Sequence, residues 1–267
     1  MTIKTTLIFL LVIVICSFMR YEEIAWDDSF ENSDWQKGWK IREEKQWGMQ
    51  NTTVVEENGN KFLRVKYPRN SYSPNGVRSE NAPWGGAQFI SDIGAHDSLH
   101  LRYYVRFDKS IDFVKGGKLP GLCGGTANSG GHIPDGTDGF STRFMWRASG
   151  GGELYAYMPN SQQWGTSLGR DNWYFKRGTW QLVEHQLKLN EPGKNNGIVR
   201  VWIDGKLVLE QKELLFRTTL SLKIDGIFFS TFFGGNDNTW ATPFDTFIDF
   251  DNFAVSEGYI GKKEGRL

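Results

Sequence analysis

Residues 99–107 read LHLRYYVRF, and the fold class turns on how these positions alternate. Leu99, Leu101, Tyr103, Val105 and Phe107 fall on one face of an extended chain, with His100, Arg102, Tyr104 and Arg106 on the other. Successive side chains of a strand point to opposite sides, so this two-residue period marks a strand with one face in a core. The same period recurs along the chain, and no segment of helical length keeps a 3.6-residue repeat. Turn signals separate the runs: Asn58-Gly59, Pro74-Asn75-Gly76, Pro192-Gly193 and Asn196-Gly197. Asp204-Gly205 sits between IVRVWI (198–203) and KLVLEQ (206–211), a strong hairpin signal. The expectation is one all-β domain over residues 21–267, a jelly-roll sandwich of two antiparallel sheets.

The chain of 267 residues carries 31 basic and 31 acidic side chains, so no global field draws it to nucleic acid or a membrane surface. Eleven tryptophans help bring aromatic residues to 15%. Most are expected in the sandwich core, and exposed ones suit stacking on sugar rings. Residues 1–20 combine Lys4 with an apolar run from Leu7 to Phe18, too short to span a bilayer. They read as a signal peptide, implying secretion and no stable membrane association afterwards; an uncleaved anchor is the weaker reading. Cys123 is then the only cysteine left, so no disulfide within the chain is possible. Neither cysteine belongs to a C-x-x-C pair, and Asp249 and Asp251 in FIDFDNF are a weak basis for calcium. No metal or organic cofactor is expected.

From Lys115 to Gly139 the chain reads KGGKLPGLCGGTANSGGHIPDGTDG. This is the longest stretch without a period, and it reads as a long functional loop. The next residues, GFSTRFMWRASGGGELYAYMP (139–159), put polar groups where a sheet wants apolar ones. Ser141, Arg143, Met145 and Arg147 share one side, against Phe140, Thr142, Phe144 and Trp146. After the glycine turn at 150–152, Tyr155 and Tyr157 share a face, backed by Leu154, Ala156 and Met158. A short hairpin sets the two polar rows side by side. Arginine grips a carboxylate bidentately, and a phenol or amine with a shifted pKa moves protons. That set suits β-elimination of a uronic-acid polymer. A plainer reading is also open, in which Arg143 pairs with a strand carboxylate and the tyrosines only pack.

The segments KLPGLCGG (118–125), GFSTRFMWR (139–147) and ELYAYMP (153–159) resemble polysaccharide lyase family 14, which contains alginate and glucuronan lyases. LNEPGKNNG (189–197), VWIDG (201–205), IDGIFFSTFFGGND (224–237) and FDNFAVS (250–256) extend the likeness from about residue 85 onward. The resemblance implies a concanavalin A-like jelly roll with a cleft on the concave face of one sheet. It carries Ser141 and Arg143 over as an S-x-R pair, Tyr155 and Tyr157 as a Y-x-Y pair, and Lys118 as the lysine before L-P-G, with Lys115 as the alternative. Lys118, Arg143, Tyr155 and Tyr157 are thus the expected catalytic set, either tyrosine or the lysine serving as base. Ser141, Gln88, Arg78 and Lys115 are expected to bind substrate. Tyr72 is a lesser candidate, and His132 reads better as a solvated loop histidine than as a substrate contact. The expected partner is an anionic polyuronate, bound by a monomer.

Two rival functions remain at this level. A glycoside hydrolase needs paired carboxylates, and Glu153 and Glu184 are the nearest acids to the polar rows. A non-catalytic carbohydrate-binding module would need only aromatic platforms. A lysine, an arginine and two phenols on one face favour catalysis.

Overall fold

The alternating stretch at 99–107 lies at the heart of the larger sheet. The structure, a computed structural model, describes residues 23–74, 78 and 81–263. The expected signal peptide at 1–20 lies outside the described residues. Among those described, no helix is long and apolar enough to cross a membrane. The strands are β1 (Trp26–Asp28), β2 (Thr52–Glu57), β3 (Asn60–Tyr67), β4 (Ala87–His96), β5 (Ser98–Phe107), β6 (Gly116–Gly125) and β7 (Gly139–Arg147). They continue with β8 (Gly152–Tyr157), β9 (Thr166–Leu168), β10 (Gln181–Lys188), β11 (Gly197–Ile203), β12 (Lys206–Leu214), β13 (Ile224–Phe233) and β14 (Thr246–Ser256).

One sheet runs β12-β11-β10-β5-β14-β3-β2, with β1 also paired to β14; the other runs β4-β13-β6-β7-β8-β9. All strand pairings are antiparallel, giving the jelly-roll sandwich the alternation called for. Leu99, Leu101, Tyr103, Val105 and Phe107 are at most 1% exposed, so the periodic face is the core face. Across the interior, Phe229 meets Phe250 at 5.1 Å and Tyr103 meets Phe144 edge-on at 6.2 Å. Each such aromatic side chain contributes roughly 1.5–3 kcal/mol through burial. Polar ties also join the sheets: Tyr103 donates to the Pro120 carbonyl at 3.1 Å, and Thr142 Oγ1 lies 3.2 Å from His185 Nε2.

The Asp204-Gly205 and Asn58-Gly59 turns both hold two consecutive positive φ angles, 52° and 82° in the first, 54° and 76° in the second. That is the backbone a two-residue hairpin needs, and glycine supplies it without strain.

One expectation fails. The run from Lys115 to Gly139 is not a single loop, because Gly116–Gly125 forms β6 in the middle of the six-stranded sheet. Its glycines are small for a packing reason: a Cβ on Gly117 would strike the Trp146 ring, and one on Gly121 the Thr142 carbonyl. Pro120, which has no N–H to give, sits where the β6–β7 register shifts. Besides Lys115, residues 126–138 remain as loop.

Candidate active site

The cleft face of the smaller sheet is built by β7 and β8. Their register sets Arg143 opposite Tyr155, Ser141 opposite Tyr157 and Met145 opposite Glu153. Phe140, Phe144, Trp146, Leu154, Ala156 and Met158 belong to the core, so the alternate residues are left to the opposite side. A cleft of about 560 Å³ lies there, lined by Gln88, Lys118, Arg143, Arg147, Tyr155 and Tyr157, and also by Arg78 and His132.

Arg143 is only 3% exposed yet lines this cleft. Its Nη1 donates to Ser230 Oγ at 3.0 Å, and Ser230 in turn donates to Gln88 Oε1 at 3.0 Å. The Gln88 amide nitrogen then donates to the Lys45 carbonyl at 3.0 Å. This chain fixes the guanidinium over the Phe228 ring, 4.7 Å from its centre. Arg143 Nε has no hydrogen-bond partner among the described residues. Burial pulls the group down to about 10, which still leaves it charged at neutral pH. A buried cation with unused donors is a ready receptor for a carboxylate.

Lys118 leans over the cleft floor with Nζ against Met145 Sδ and 4.2 Å from the centre of the Tyr155 ring. Among the described residues no carboxylate forms an ion pair with it, though Glu153 acts on it from a distance. Burial, then the positive charges of Arg143 and Arg147, hold its amine well below the ordinary 10.5. Its neutral form is therefore accessible far below the usual lysine range.

The two phenols differ. Tyr155 is half-buried, and burial together with Tyr157 pushes it up to about 12, so it stays protonated. Tyr157 is 2% exposed and its oxygen accepts the Gly131 N–H at 3.1 Å. Its own O–H is then left to point elsewhere. The rings meet edge-to-face at 5.8 Å, and Gly165 lies so close that a Cβ there would sit 2.7 Å from Tyr155 and 2.9 Å from Tyr157.

The structure gathers Lys118, Arg143, Tyr155, Tyr157, Gln88 and Arg78 around one cleft. It does not place Ser141 or Lys115 on its lining. Ser141 is fully buried and donates to the Asn128 carbonyl at 2.6 Å, so the 126–138 loop covers the face on which alternation puts it. Its position holds that loop rather than a substrate. Lys115 is exposed, bonded to Thr239 and 5.8 Å from the Trp240 ring. Gly116 and Gly117 separate it from Lys118, whose register opposite Met145 sets Lys118 into the cleft. Tyr72 is buried in the core and His132, expected in solvent, lines the cleft.

The acids offered for a hydrolase are not a pair. Glu153 is buried against Arg147 at 2.5 Å, whereas Glu184 lies on the other sheet, accepting the Ile260 and Gly261 N–H groups. Asp249 is fully buried between Arg64 and Arg106. No three-residue group of potential metal ligands occurs among the described residues.

Sequence reasoning missed Lys45, Trp47, Trp164, Ser230 and Trp240. Lys45, Trp47, Trp164 and Trp240 line the cleft from segments with no period, and Ser230 lies inside IFFSTFF, where the flanking phenylalanines dominate the pattern.

Comparison with known proteins fits this geometry. A family model described as Polysaccharide lyase 14 matches residues 55–253. The crystal structure of a PL-14 alginate lyase from Aplysia kurodai superposes with a TM-score of 0.76 at 31% identity, covering 87% of this chain and 98% of that one. The alginate lyase vAL-1 from Chlorella virus gives 0.71 at 21% identity, over 86% and 100% of the two chains. An endo-β-1,4-glucuronan lyase from the fungus Trichoderma reesei gives 0.54 at 14% identity, over 88% and 96%. These last two likenesses establish a common fold. A search of curated protein sequences returns no significant match.

Proposed function

This chain belongs to polysaccharide lyase family 14, and on that premise we propose that it cleaves a uronic-acid polymer by β-elimination at the cleft of the smaller sheet. The observation that carries the reading is the juxtaposition of a carboxylate receptor, Arg143, with an unpaired amine whose proton is loosely held, Lys118.

Arg143 grips the carboxylate of the sugar to be opened, which delocalises negative charge and acidifies the neighbouring C5–H. The neutral amine of Lys118 takes that proton. The C5–H electron pair forms the C4=C5 double bond and the C4–O bond breaks. The departing glycosidic oxygen takes a proton from the phenol of Tyr157, which the Gly131 N–H orients. Tyr155 stays a neutral phenol beneath Lys118 and holds the amine in place. Arg147, tied to Glu153, adds positive charge that disfavours protonated Lys118. The protein's own cations neutralise the carboxylate, so no metal step is required.

Alginate, polymannuronate and glucuronan are the candidate substrates; the relatives' names include both alginate and glucuronan lyases. Secretion accompanies this reading, supported by the apolar run from Leu7 to Phe18 and by the size of a substrate met outside cells. Purified polyuronates incubated with the protein test it: an unsaturated uronate, seen by ultraviolet absorbance and mass, is expected. Saturated products would mean hydrolysis, and binding without products a carbohydrate-binding module.

A further inference from the structure

The segment before β2 takes part in the cleft although it precedes the residues matched by the family model, 55–253. Residues 41–47 run antiparallel to the outer edge of β4. Ile41 bridges Ser91 and Trp47 bridges Gln88, with Trp47 N–H and C=O both bonded to Gln88 at 3.0 and 2.9 Å. Between these two anchors the chain bows out, and Lys45 takes a left-handed backbone with φ 60°. A non-glycine residue in that region carries strain that the surroundings must hold, and such positions concentrate at binding sites.

The surroundings here hold it firmly. The Lys45 carbonyl accepts the Gln88 amide, and its ammonium donates to the carbonyls of Thr126 and Ala127. β4 and β6 flank β13, so the Lys45 side chain spans that strand to reach the start of the 126–138 loop. An ammonium has three donors, and two are used. Arg143 is near enough to depress its pKa, after the larger effect of burial. Beside it, the Trp47 ring lines the cleft, packed at 5.7 Å on Trp84 and 5.8 Å on Phe232. Arg78 stands 5.3 Å over the Trp84 ring.

We propose that Lys45 and Trp47 form a subsite for the uronate next to the one held by Arg143 on the side away from the bond being broken, Lys45 binding its carboxylate and Trp47 stacking on its ring. The inference rests on the polyuronate reading above. A polyuronate carries one carboxylate per sugar, so the neighbour of the sugar at Arg143 brings its own charge. A hydrated lysine and an aromatic face meet that need without touching the bond being broken. Binding here adds affinity to ground and transition states alike, and so acts on KM rather than kcat.

The test is steady-state kinetics of Lys45→Met, Lys45→Arg and Trp47→Ala on a cleaved polyuronate and on the shortest oligouronate still cleaved. Lys45→Met and Trp47→Ala are expected to raise KM for the polymer about tenfold, within the range of charged hydrogen bonds and aromatic burial, and kcat less than twofold. Lys45→Arg is expected to recover most of the loss. The cost should shrink on the shortest oligomer, which leaves this subsite empty. Unchanged KM on the polymer, or an equal loss at every chain length, overturns the subsite while leaving the lyase reading intact. A wild-type protein that neither binds nor cleaves any polyuronate overturns both.

Discussion

The Lys118 ammonium lies 4.2 Å from the centre of the Tyr155 ring, and no carboxylate forms an ion pair with it among the described residues. In a protein, a lysine in such a place is usually paired or reaches solvent, because burial disfavours the charged form. Here Arg143 and Arg147 add repulsion to burial. These three effects outweigh the opposing pull of Glu153, so low basicity is built in.

The first consequence is a pH profile. The base must be neutral, so kcat/KM should rise with pH through the lowered Lys118 pKa and level off well below the 10.5 of an ordinary lysine. A decline is expected near pH 10 and above, where Arg143 loses its charge. Lys118→Met should cut kcat on the order of 10³-fold and remove the rising limb. A variant with wild-type turnover would show that another group takes the C5 proton.

Arg143→Lys keeps a charge but loses the planar fork and the bond to Ser230. A loss of about 2 kcal/mol in transition-state stabilisation is expected, read as kcat/KM. Ser230→Ala should reproduce part of it, since Ser230 links Arg143 to Gln88 without lining the cleft. Chelation should leave the wild-type rate unchanged.

The tyrosines should separate cleanly. Tyr157→Phe is expected to lower kcat on the order of 10²-fold with little change in KM, because the lost O–H acts on the leaving oxygen. Tyr155→Phe keeps the ring under Lys118 and should cost less than tenfold. The reverse order in folded variants would exchange the two roles.

A stability prediction comes from His185. Burial and the nearby His100 push it down to about 3, against 6.5 for a free histidine. The folded state therefore keeps it neutral while the unfolded chain takes up the proton. Its contribution is complete above pH 6.5 and is lost as pH falls toward 3, by up to about 1.4 kcal/mol per unit. Denaturant titrations at pH 7, 5 and 4 check this. His185→Gln should lose less stability on acidification than the wild type.

Much of this site can be read from the alternation alone. The faces of β7 and β8 are legible because apolar residues dominate one row in each and polar residues the other, Thr142 and Met145 being the exceptions in β7. That suffices to place Arg143, Tyr155 and Tyr157. It misleads at Ser141, since a loop folded over a sheet leaves no mark on strand periodicity. It is silent on β6, where glycine and proline erase the pattern although neighbouring side chains dictate them. It is silent too on residues 41–47, whose structure is set by pairing with a distant strand rather than by their own sequence.

That pairing has a second consequence, for solubility. β4 is the outermost strand of its sheet, and an open edge of unpaired N–H and C=O groups invites another chain to add itself. The bridges at Ile41 and Trp47, with Arg42 N–H on the Ile90 carbonyl, occupy that edge. A chain begun at residue 49 would expose β4 and also lose Phe30, Trp35 and Trp39 from the core, and light scattering should show it joining into larger particles than the full chain forms. Ligand contact and protection from self-association then share one short segment, so mutations that reshape it for a new polymer are filtered first by whether the sheet stays covered.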